Sequence, residues 1–464
     1  MMAPRSRMTG IRWPAIAKPG DAQVLALQFQ FEQTQWWPES RLLAHQMEQV
    51  RGLLDHAQGT VPFYRERLAP FRGLEPGTLT LEAYRRVPLL SRADIQEAGD
   101  ALLSRRLPGA HGKPFDIRTS GSTGTPIRVK GTALTSLFLT ALSLRGHLWH
   151  KRDLSAKSVT FRASVPKTRA GARQVWAAGY ATGPSPVFDI TRPVGDLFDT
   201  LIEEDPEYFQ THPNVLVELM RISRETGVKP KKLREVRTMS EVLDAGVRET
   251  CLDEWGVPVI DIYSANEIGT IAHQCPDNTQ YHVQAESVLV EVLDEDGEPC
   301  LPGRMGRVVI TVLHNFATPL IRYDIGDYAE AGAPCPCGRG LPVLTRVVGR
   351  TRNLMVLPTG EKVSSSFFEK RIAVIAPVRQ FQLIQKTAHE IEVKLVVPRP
   401  LTEAEENGLR DYFTERAGHP FDFRFVYVDD IPRSAGGKYE YFRSEVTDPE
   451  RPRERPPSNT DKHG

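Results

Sequence analysis

Residues 119–126 read Thr-Ser-Gly-Ser-Thr-Gly-Thr-Pro, a run of hydroxyl side chains around two glycines. Such a loop exposes backbone N–H groups and O–H donors, which are the groups that bind phosphate oxygens. The flanking residues 115–118 and 127–130 alternate apolar with polar side chains, which predicts two strands of one hairpin. The spacing is not that of the strand-to-helix Walker loop. The candidate phosphate-binding residues are Thr119, Ser120, Gly121, Ser122, Thr123 and Gly124. An ordinary surface turn has the same composition.

The overall composition is typical of a globular enzyme. The chain has 464 residues, with 59 basic and 58 acidic side chains, a balance that argues against nucleic acid or a membrane surface as the main partner. No apolar run is long enough to span a membrane, and the first residues lack the apolar core of a signal peptide. Five cysteines do not make a disulfide framework in a chain of this length. We therefore expect a cytoplasmic protein.

The order of predicted elements indicates an α/β fold. Residues 1–25 form a basic, proline-containing arm that we expect to be flexible, and residues 447–464 are expected to be a disordered tail. Between them helical and strand patterns alternate, for example a helix over 240–255 and a buried strand over 258–263. In such folds ligands bind at the carboxyl ends of the strands.

The first candidate site after the loop lies at the end of strand 258–263. Tyr263, Ser264, Asn266 and Glu267 follow one another there. An aromatic ring can stack on a base, and a nearby carboxylate can hold Mg²⁺ at a phosphate. The alternative is a core tyrosine with a glutamate at a helix start.

Two further positions carry charge near glycines. Asp327 follows Gly326 at a predicted strand end, where a carboxylate can accept hydrogen bonds from both hydroxyls of a ribose. Arg350 follows Gly349 and brings a cation. A Gly-Asp turn and a solvated basic loop are the alternatives.

Together with the late segment Pro432–Lys438, these motifs resemble in their order the core motifs of the adenylate-forming (ANL) superfamily of acyl-CoA synthetases, adenylation domains and luciferases. The runs 335–339 and 379–385 are similar to those of its phenylacetate-CoA ligase branch, which includes CapK and coenzyme F390 synthetase-like proteins. The resemblance implies a large multi-subdomain N-terminal domain over 26–351 and a small mobile C-terminal α+β lid over 352–446. For the lid we expect strands at 379–385, 390–397 and 423–428 and a helix at 402–417.

The resemblance also implies a two-step reaction. A carboxylate attacks the α-phosphate of ATP, giving an acyl-adenylate and pyrophosphate, and a thiol such as that of CoA then displaces AMP. Ser120, Ser122, Thr123 and Gly124 would hold the β- and γ-phosphates, and Tyr263 would lie against the adenine. Asn266 would reach the α-phosphate, Glu267 would bind Mg²⁺, and Asp327 and Arg350 would hold the ribose. Lys438 would bridge the carboxylate and the α-phosphate.

The acceptor and the acid are less specified. The family usually has Asp or Lys at the hinge where this chain has Arg352, which leaves the gating of the second step open. There are two alternative functions. In the first, the acyl group is transferred to an amine or a carrier-protein thiol. In the second, the protein binds a nucleotide but is catalytically silent. By analogy the acid pocket includes His212 and Val242, and an apolar wall would suit an aryl or fatty acid. The alternative for His212 is that it caps a helix. We expect a monomer or a homodimer.

The cysteines suggest a second site. Cys275, His282, Cys335 and Cys337 supply three thiolates and an imidazole on two segments. Soft sulfur and nitrogen ligands in fours favour tetrahedral Zn²⁺ in a structural role. His273 is a competing nitrogen ligand, and unliganded thiols in turns are the alternative.

Overall fold

A computed structural model describes residues 6–11, 13–118, 127–163, 165, 175–364, 367, 369–432 and 439–446. The predicted phosphate-binding residues Thr119, Ser120, Gly121, Ser122, Thr123 and Gly124, the predicted catalytic Lys438 and the predicted tail 447–464 lie outside the described residues.

Helices and strands alternate through most of the described chain. The helices are α1 (Pro19–Thr34), α2 (Glu39–Thr60), α3 (Tyr64–Arg67), α4 (Leu81–Tyr84), α5 (Arg92–Ala98), α6 (Ala133–Trp149), α7 (Val194–Glu204), α8 (Pro213–Thr226), α9 (Ala245–Trp255), α10 (Glu369–Ile375) and α11 (Glu403–Ala417). The strands are β1 (Phe115–Arg118), β2 (Arg128–Gly131), β3 (Ser158–Arg162), β4 (Val187–Asp189), β5 (Tyr208–Thr211), β6 (Glu235–Met239), β7 (Val259–Ala265), β8 (Gly269–Gln274), β9 (Tyr281–Val283), β10 (Val288–Leu293), β11 (Met305–Val312), β12 (Tyr323–Ala331), β13 (Val343–Arg350), β14 (Met355–Val356), β15 (Lys362–Val363), β16 (Gln380–Gln385), β17 (Glu390–Val396), β18 (Asp422–Tyr427) and β19 (Phe442–Ser444). Every helix of the described residues is too short or too polar to cross a bilayer.

One large sheet organises the first three quarters of the chain. Its strand order is β10-β11-β12-β13-β9-β8-β7-β6-β5-β3-β4. The strands from β7 to β4 pair in parallel, and those from β7 to β10 pair antiparallel. The α/β class predicted from the sequence is therefore confirmed. Because β7 belongs to both halves, residues that follow it lie where the two kinds of pairing meet.

The parallel half is amphipathic. Val159, Phe209 and Val236 lie side by side in register and belong to the apolar core formed with α7, α8 and α9. Alternate residues of the same strands point to the other face. There Thr160, Gln210 and Arg237 stand in one row across three strands. One face of this half-sheet is thus packed against helices, and the other carries polar side chains.

The predicted hairpin around the glycine loop is confirmed. Strands β1 and β2 pair antiparallel with Phe115 opposite Gly131 and Arg118 opposite Arg128. The two ends of the candidate phosphate-binding loop are therefore neighbours, as a hairpin loop requires.

Two predicted boundaries were wrong. The flexible arm was expected to reach residue 25, but α1 begins at Pro19, since proline suits the first helical turn, and buries Val24 and Phe31 against α6. The helix expected from residue 240 begins only at Ala245, because the Asp244 carboxylate accepts a hydrogen bond from Gly246 N and caps it there.

The C-terminal lid has its own sheet and core. Strands β16, β17 and β18 and helix α11 confirm the predicted elements within one or two residues at each end. The sheet order is β18-β17-β16-β19. Strand β19, which follows the segment 433–438, was missed because its three residues are too few for a periodic pattern. It pairs in parallel with β16 and forms one edge of the lid sheet.

A buried ion pair connects the N-terminal helices to the sheet. Arg145 on α6 is fully buried, and its Nη2 lies 2.6 Å from Glu286 Oε1 while Nη1 lies 2.9 Å from Glu286 Oε2. Arg145 also donates to Phe31 O on α1 at 3.0 Å. Burial raises the pKa of Glu286, but the charge and hydrogen bonds of Arg145 outweigh it and leave that pKa below its usual range. This pair therefore ties three elements with charge-assisted hydrogen bonds.

We predict that Glu286→Gln lowers the free energy of unfolding by about 3 kcal/mol, because it leaves a buried guanidinium without its counter-charge. Since the pKa of Glu286 is lowered in the folded state, the pair contributes fully above the ordinary glutamate pKa of about 4.3 and less as the pH falls. Urea titrations at pH 7 and pH 4 measure both effects. The control is Asp55→Asn, which removes an exposed partner of Arg51 and should change stability by under about 0.5 kcal/mol. Equal effects of the two variants would contradict the prediction.

Candidate active site

A cavity of about 1910 Å³ lies between the large sheet and the lid. Its walls come from the carboxyl ends of the central strands, from α9 and from lid residues such as Tyr439 and Phe442. All the described residues that the sequence predicted for nucleotide, acid and hinge lie along it, namely His212, Val242, Tyr263, Ser264, Asn266, Glu267, Asp327, Arg350 and Arg352. Which ligand each of them contacts stays a prediction.

Three of these residues form one buried network. The Tyr263 hydroxyl donates to Asp327 Oδ2 at 2.8 Å, and Arg350 Nε lies 3.1 Å from Asp327 Oδ1. Arg350 Nη1 also donates to Ile325 O at 2.7 Å. Burial alone would lower the pKa of Arg350, but the charges of Asp327, Glu267 and two nearby tyrosines together outweigh burial and raise it. The network therefore holds a carboxylate, a phenol and a guanidinium in fixed positions on the cavity wall.

The position of Asp327 differs from the prediction. We expected it at a strand end, but β12 continues through it to Ala331, and Asp327 pairs directly with Arg350 of β13. Gly326 before it has φ +80°, a conformation that favours glycine. The two strands therefore place the carboxylate and the guanidinium side by side.

Glu267 lies in the turn that joins β7 to β8, and not at a helix start. It is 5% exposed, and burial raises the pKa of its carboxyl group. Asn266 beside it is exposed to the cavity. A buried carboxylate next to an open cavity is a group whose charge a bound cation would stabilise.

The ends of the two undescribed motifs open onto this cavity. Ile117, two residues before the glycine loop, lines it, as do Pro432 and Tyr439 on either side of residues 433–438. Tyr439 N, the first described backbone group after Lys438, donates to Glu241 Oε1 at 3.3 Å. Glu241 thus connects the large domain to the lid.

His212 and Val242 border the same region. His212 is the N-cap residue of α8, its ring is buried, and its Nδ1 lies 3.8 Å from Glu241 Oε1. Val242 is 42% exposed and packs closely on Gly349. A β-carbon added at position 349 would lie only 2.5 Å from Val242 Cγ2. Arg352, the predicted hinge residue, forms an ion pair with Glu440 of the lid.

The sequence missed several polar residues on the inner wall. Arg237, His147 and Trp176 line the cavity, so polar side chains stand among its apolar ones. Arg237 could have been found from the alternation of polar and apolar residues in β6, which places it opposite the buried Val236. Nothing in the sequence indicated which side of the sheet carries the cavity.

The predicted cysteine and histidine cluster is assembled at a separate place. The ligand atoms of Cys275, His282, Cys335 and Cys337 all lie within 4.8 Å of one another. Cys275 Sγ and Cys335 Sγ are 3.8 Å apart, and Cys337 Sγ is 3.3 Å from His282 Nε2. A tetrahedron with Zn–S bonds of about 2.3 Å has edges of about 3.8 Å. The donor set and spacing therefore fit a tetrahedral metal ion.

His273 does not compete for this cluster. Its Nε2 is bonded to Leu142 O at 2.8 Å, and burial lowers the pKa of the ring to about 3. The imidazole that completes the cluster is that of His282.

Comparison with known proteins agrees with this arrangement. Residues 355–445 match the CapK C-terminal domain family. The phenylacetate-coenzyme A ligase of Thermus thermophilus is 26% identical over 399 residues, which are 78% of this chain and 83% of that protein. The enzyme of the same name from Pseudomonas putida is 24% identical over 72% of this chain and 76% of its own length. These similarities support placing the chain in the adenylate-forming superfamily, in its phenylacetate-CoA ligase branch.

Solved structures confirm the adenylate-forming fold. The crystal structure of 2-hydroxyisobutyryl-CoA ligase in the postadenylation state superposes with a TM-score of 0.70, at 18% identity, over 89% of this chain and 92% of that one. Its thioesterification-state structure gives only 0.57 over the same shares of both chains. The overall arrangement of this chain is therefore more similar to that of the postadenylation structure.

We predict that Glu241→Ala loosens the lid segment after Lys438. Loss of one charge-assisted hydrogen bond should raise amide exchange at Tyr439 about tenfold. Hydrogen–deuterium exchange of a peptide spanning 439–446 measures this. Glu249→Ala removes an exposed carboxylate from the same cavity and should leave the exchange unchanged. Unchanged exchange in Glu241→Ala would show that the contact does not hold the lid.

Proposed function

We propose that this protein is an AMP-forming acid–thiol ligase that activates a carboxylic acid with ATP and Mg²⁺ and transfers the acyl group to CoA. One observation carries the proposal. Tyr263, Glu267, Asp327 and Arg350, which are distant in sequence, meet on one wall of the cavity that the lid closes. The relatives named phenylacetate-coenzyme A ligase support the reaction class.

The buried network suits the nucleoside of ATP. Asp327 is held by two donors, so its carboxylate is oriented before any ligand binds. We assign it to the ribose hydroxyls, with Arg350 beside it and the Tyr263 ring towards the adenine. The hydroxyl and backbone donors of Thr119, Ser120, Gly121, Ser122, Thr123 and Gly124 are assigned to the phosphates.

In the first step a carboxylate oxygen of the acid attacks the α-phosphorus, and the bond from that phosphorus to pyrophosphate breaks. Negative charge grows on the α-phosphate oxygens, and we assign Lys438 and Asn266 to stabilise it. Glu267 is assigned to Mg²⁺, which neutralises charge on the phosphates when bound.

In the second step the sulfur of CoA attacks the acyl carbon, a thioester forms and AMP leaves. The lid must then move, because Lys438 belongs to the first step. Arg352 lies where the chain enters the lid and forms an ion pair with Glu440. During the movement this ion pair would have to persist or be replaced by another contact. A cytoplasmic location and the oligomeric state stay predictions.

The cysteine and histidine cluster is assigned to structural Zn²⁺. All four positions of the tetrahedron are filled by protein ligands, which is typical of structural sites. The ion would join the turn between β8 and β9 to the loop between β12 and β13. Because the loop with Cys335 and Cys337 leads into β13, which carries Arg350, this cross-link would help to hold that strand in place.

We predict that Lys438→Ala reduces pyrophosphate release by about 10²-fold or more, because a preorganised cation is lost from the transition state. The measurement is a pyrophosphate-release screen over carboxylic acids, with and without CoA. Lys232→Ala removes a 65% exposed lysine elsewhere and serves as the control. Full activity of Lys438→Ala would contradict the role that we assign to Lys438 in the first step. Turnover with an amine or a carrier protein, and none with CoA, would change the acceptor.

We predict about one zinc ion per purified chain and nearly none in Cys335→Ser, since loss of one thiolate weakens a four-ligand site strongly. Elemental analysis by mass spectrometry measures the metal. Cys300→Ser alters a half-buried cysteine outside the cluster and should keep the full content. A wild-type protein free of metal, purified without chelators, would contradict the assignment.

A further inference from the structure

Arg237 is the most unusual residue of the cavity. It lies in the middle of β6, is 8% exposed and lines the inner wall. Within the described residues it has no hydrogen bond or ion pair, and its Nε is buried without a partner. A buried charge without a counter-charge costs several kcal/mol, so such a group is retained when something else binds it.

Neighbouring charges do not neutralise it. Glu235, two residues away on the same face, is bound by Arg152, whose Nε lies 2.6 Å from Glu235 Oε1. Burial lowers the pKa of Arg237 to about 9, so the guanidinium remains charged at neutral pH. Burial and then the charge of Arg237 lower the pKa of His147 well below its usual value, so that ring adds no positive charge. Among the described residues of the inner wall, Arg237 is therefore a guanidinium without an ion-pair partner of its own, although the charge of Glu235 attracts it.

Other donors and polar groups surround this charge. Gln210 and Thr160 stand in register beside Arg237, and all three line the cavity. The indole Nε1 of Trp176 is also buried without a hydrogen-bond partner in the described part of the chain. Trp176 lies edge to face with His147, with ring centres 4.8 Å apart. Two unsatisfied donors on one wall indicate a built acceptor site.

The position of this wall relates it to the nucleotide network. Arg237 pairs with Ile260 on β7, three residues before Tyr263. At about 3.3 Å per residue, the backbone position of Arg237 lies about 10 Å further along the sheet than that of Tyr263, towards the inner end of the cavity. A molecule whose carboxylate is activated at the mouth would reach Arg237 with its far end.

We propose that the ligase selects an acid carrying a second anionic group, and that Arg237 binds that group. The inference rests on the proposed acid activation and adds the class of acid. A site built to hydrogen-bond a substrate group discriminates strongly against the analogue that lacks it, because its own donors are then left unpaired. Arg237 is thus a specificity-determining residue.

The test compares matched acids of several lengths, each pair consisting of a dicarboxylic acid and the monocarboxylic acid with a methyl group in place of the second carboxylate. Pyrophosphate release in the wild type should favour the dicarboxylic member by at least about tenfold in kcat/KM. In Arg237→Met, kcat/KM for that member should fall about 10²-fold, while the monocarboxylic member keeps its rate. Arg162→Met removes an exposed arginine of the same cavity and controls for general attraction of anions.

A binding measurement separates this proposal from the reaction itself. Thermal shift with the acids alone, without ATP, should stabilise the wild type with dicarboxylic acids and not stabilise Arg237→Met. This result would support the acid class even if no acid released pyrophosphate, in which case only the proposed function would fail. Arg237→Met without ligand should melt higher than the wild type, since a buried unpaired charge is removed.

Three outcomes would overturn the proposal. The first is a wild type that binds and activates monocarboxylic acids as well as the dicarboxylic ones. The second is an equal loss for both members in Arg237→Met. The third is a lower melting temperature of ligand-free Arg237→Met, which would make Arg237 a structural residue.

Discussion

The ion pair between Asp327 and Arg350 joins two strands of the candidate nucleotide site. It forms across β12 and β13, and Tyr263 on β7 donates to the same carboxylate. Strands β12 and β7 are not adjacent, since β13, β9 and β8 lie between them in the sheet. The curvature of the antiparallel half must therefore bring β12 back towards the end of β7. The ion pair and the Tyr263 hydroxyl together fix the orientation of the carboxylate on the cavity wall.

The two faces of the parallel half-sheet have different tasks. One face buries Val159, Phe209 and Val236 against helices and supplies hydrophobic stabilisation. The other leaves Arg237 in the cavity, at a cost that folding alone does not offset. Because both faces belong to the same strands, the free energy gained by burying apolar side chains on one face can offset the cost of burying Arg237 on the other. Such a division is expected where a rigid scaffold carries a binding site.

Polar contacts join the lid to the rest of the chain. Glu241 accepts from Tyr439 N, and Lys362 Nζ lies 3.1 Å from Glu295 Oε1. The contact of Lys362 is with a glutamate whose side chain is 64% exposed, and a contact of that kind contributes little. The Glu241 side chain is only 10% exposed, so its contact is the more shielded of the two.

The sequence predicted most of the lid elements and the hairpin before residue 131, because periodic patterns and glycines act over a few neighbouring residues. It was wrong about the start of α9 and about the arm before α1. There a single cap at Asp244 and the packing of Phe31 on α6 decided the boundary. It also placed Asp327 at a strand end, since the continuation of β12 depends on pairing with a strand further along the chain.

The chemical groups of the site were thus determined by the sequence, in motifs that are each a few residues long. The tertiary structure alone decided that Tyr263, Asp327 and Arg350 touch, that His282 rather than His273 joins the three cysteines, and that Arg237 faces a cavity. These facts depend on sheet register and on which face a helix covers. Such relations connect residues far apart in the chain, so no local pattern contains them.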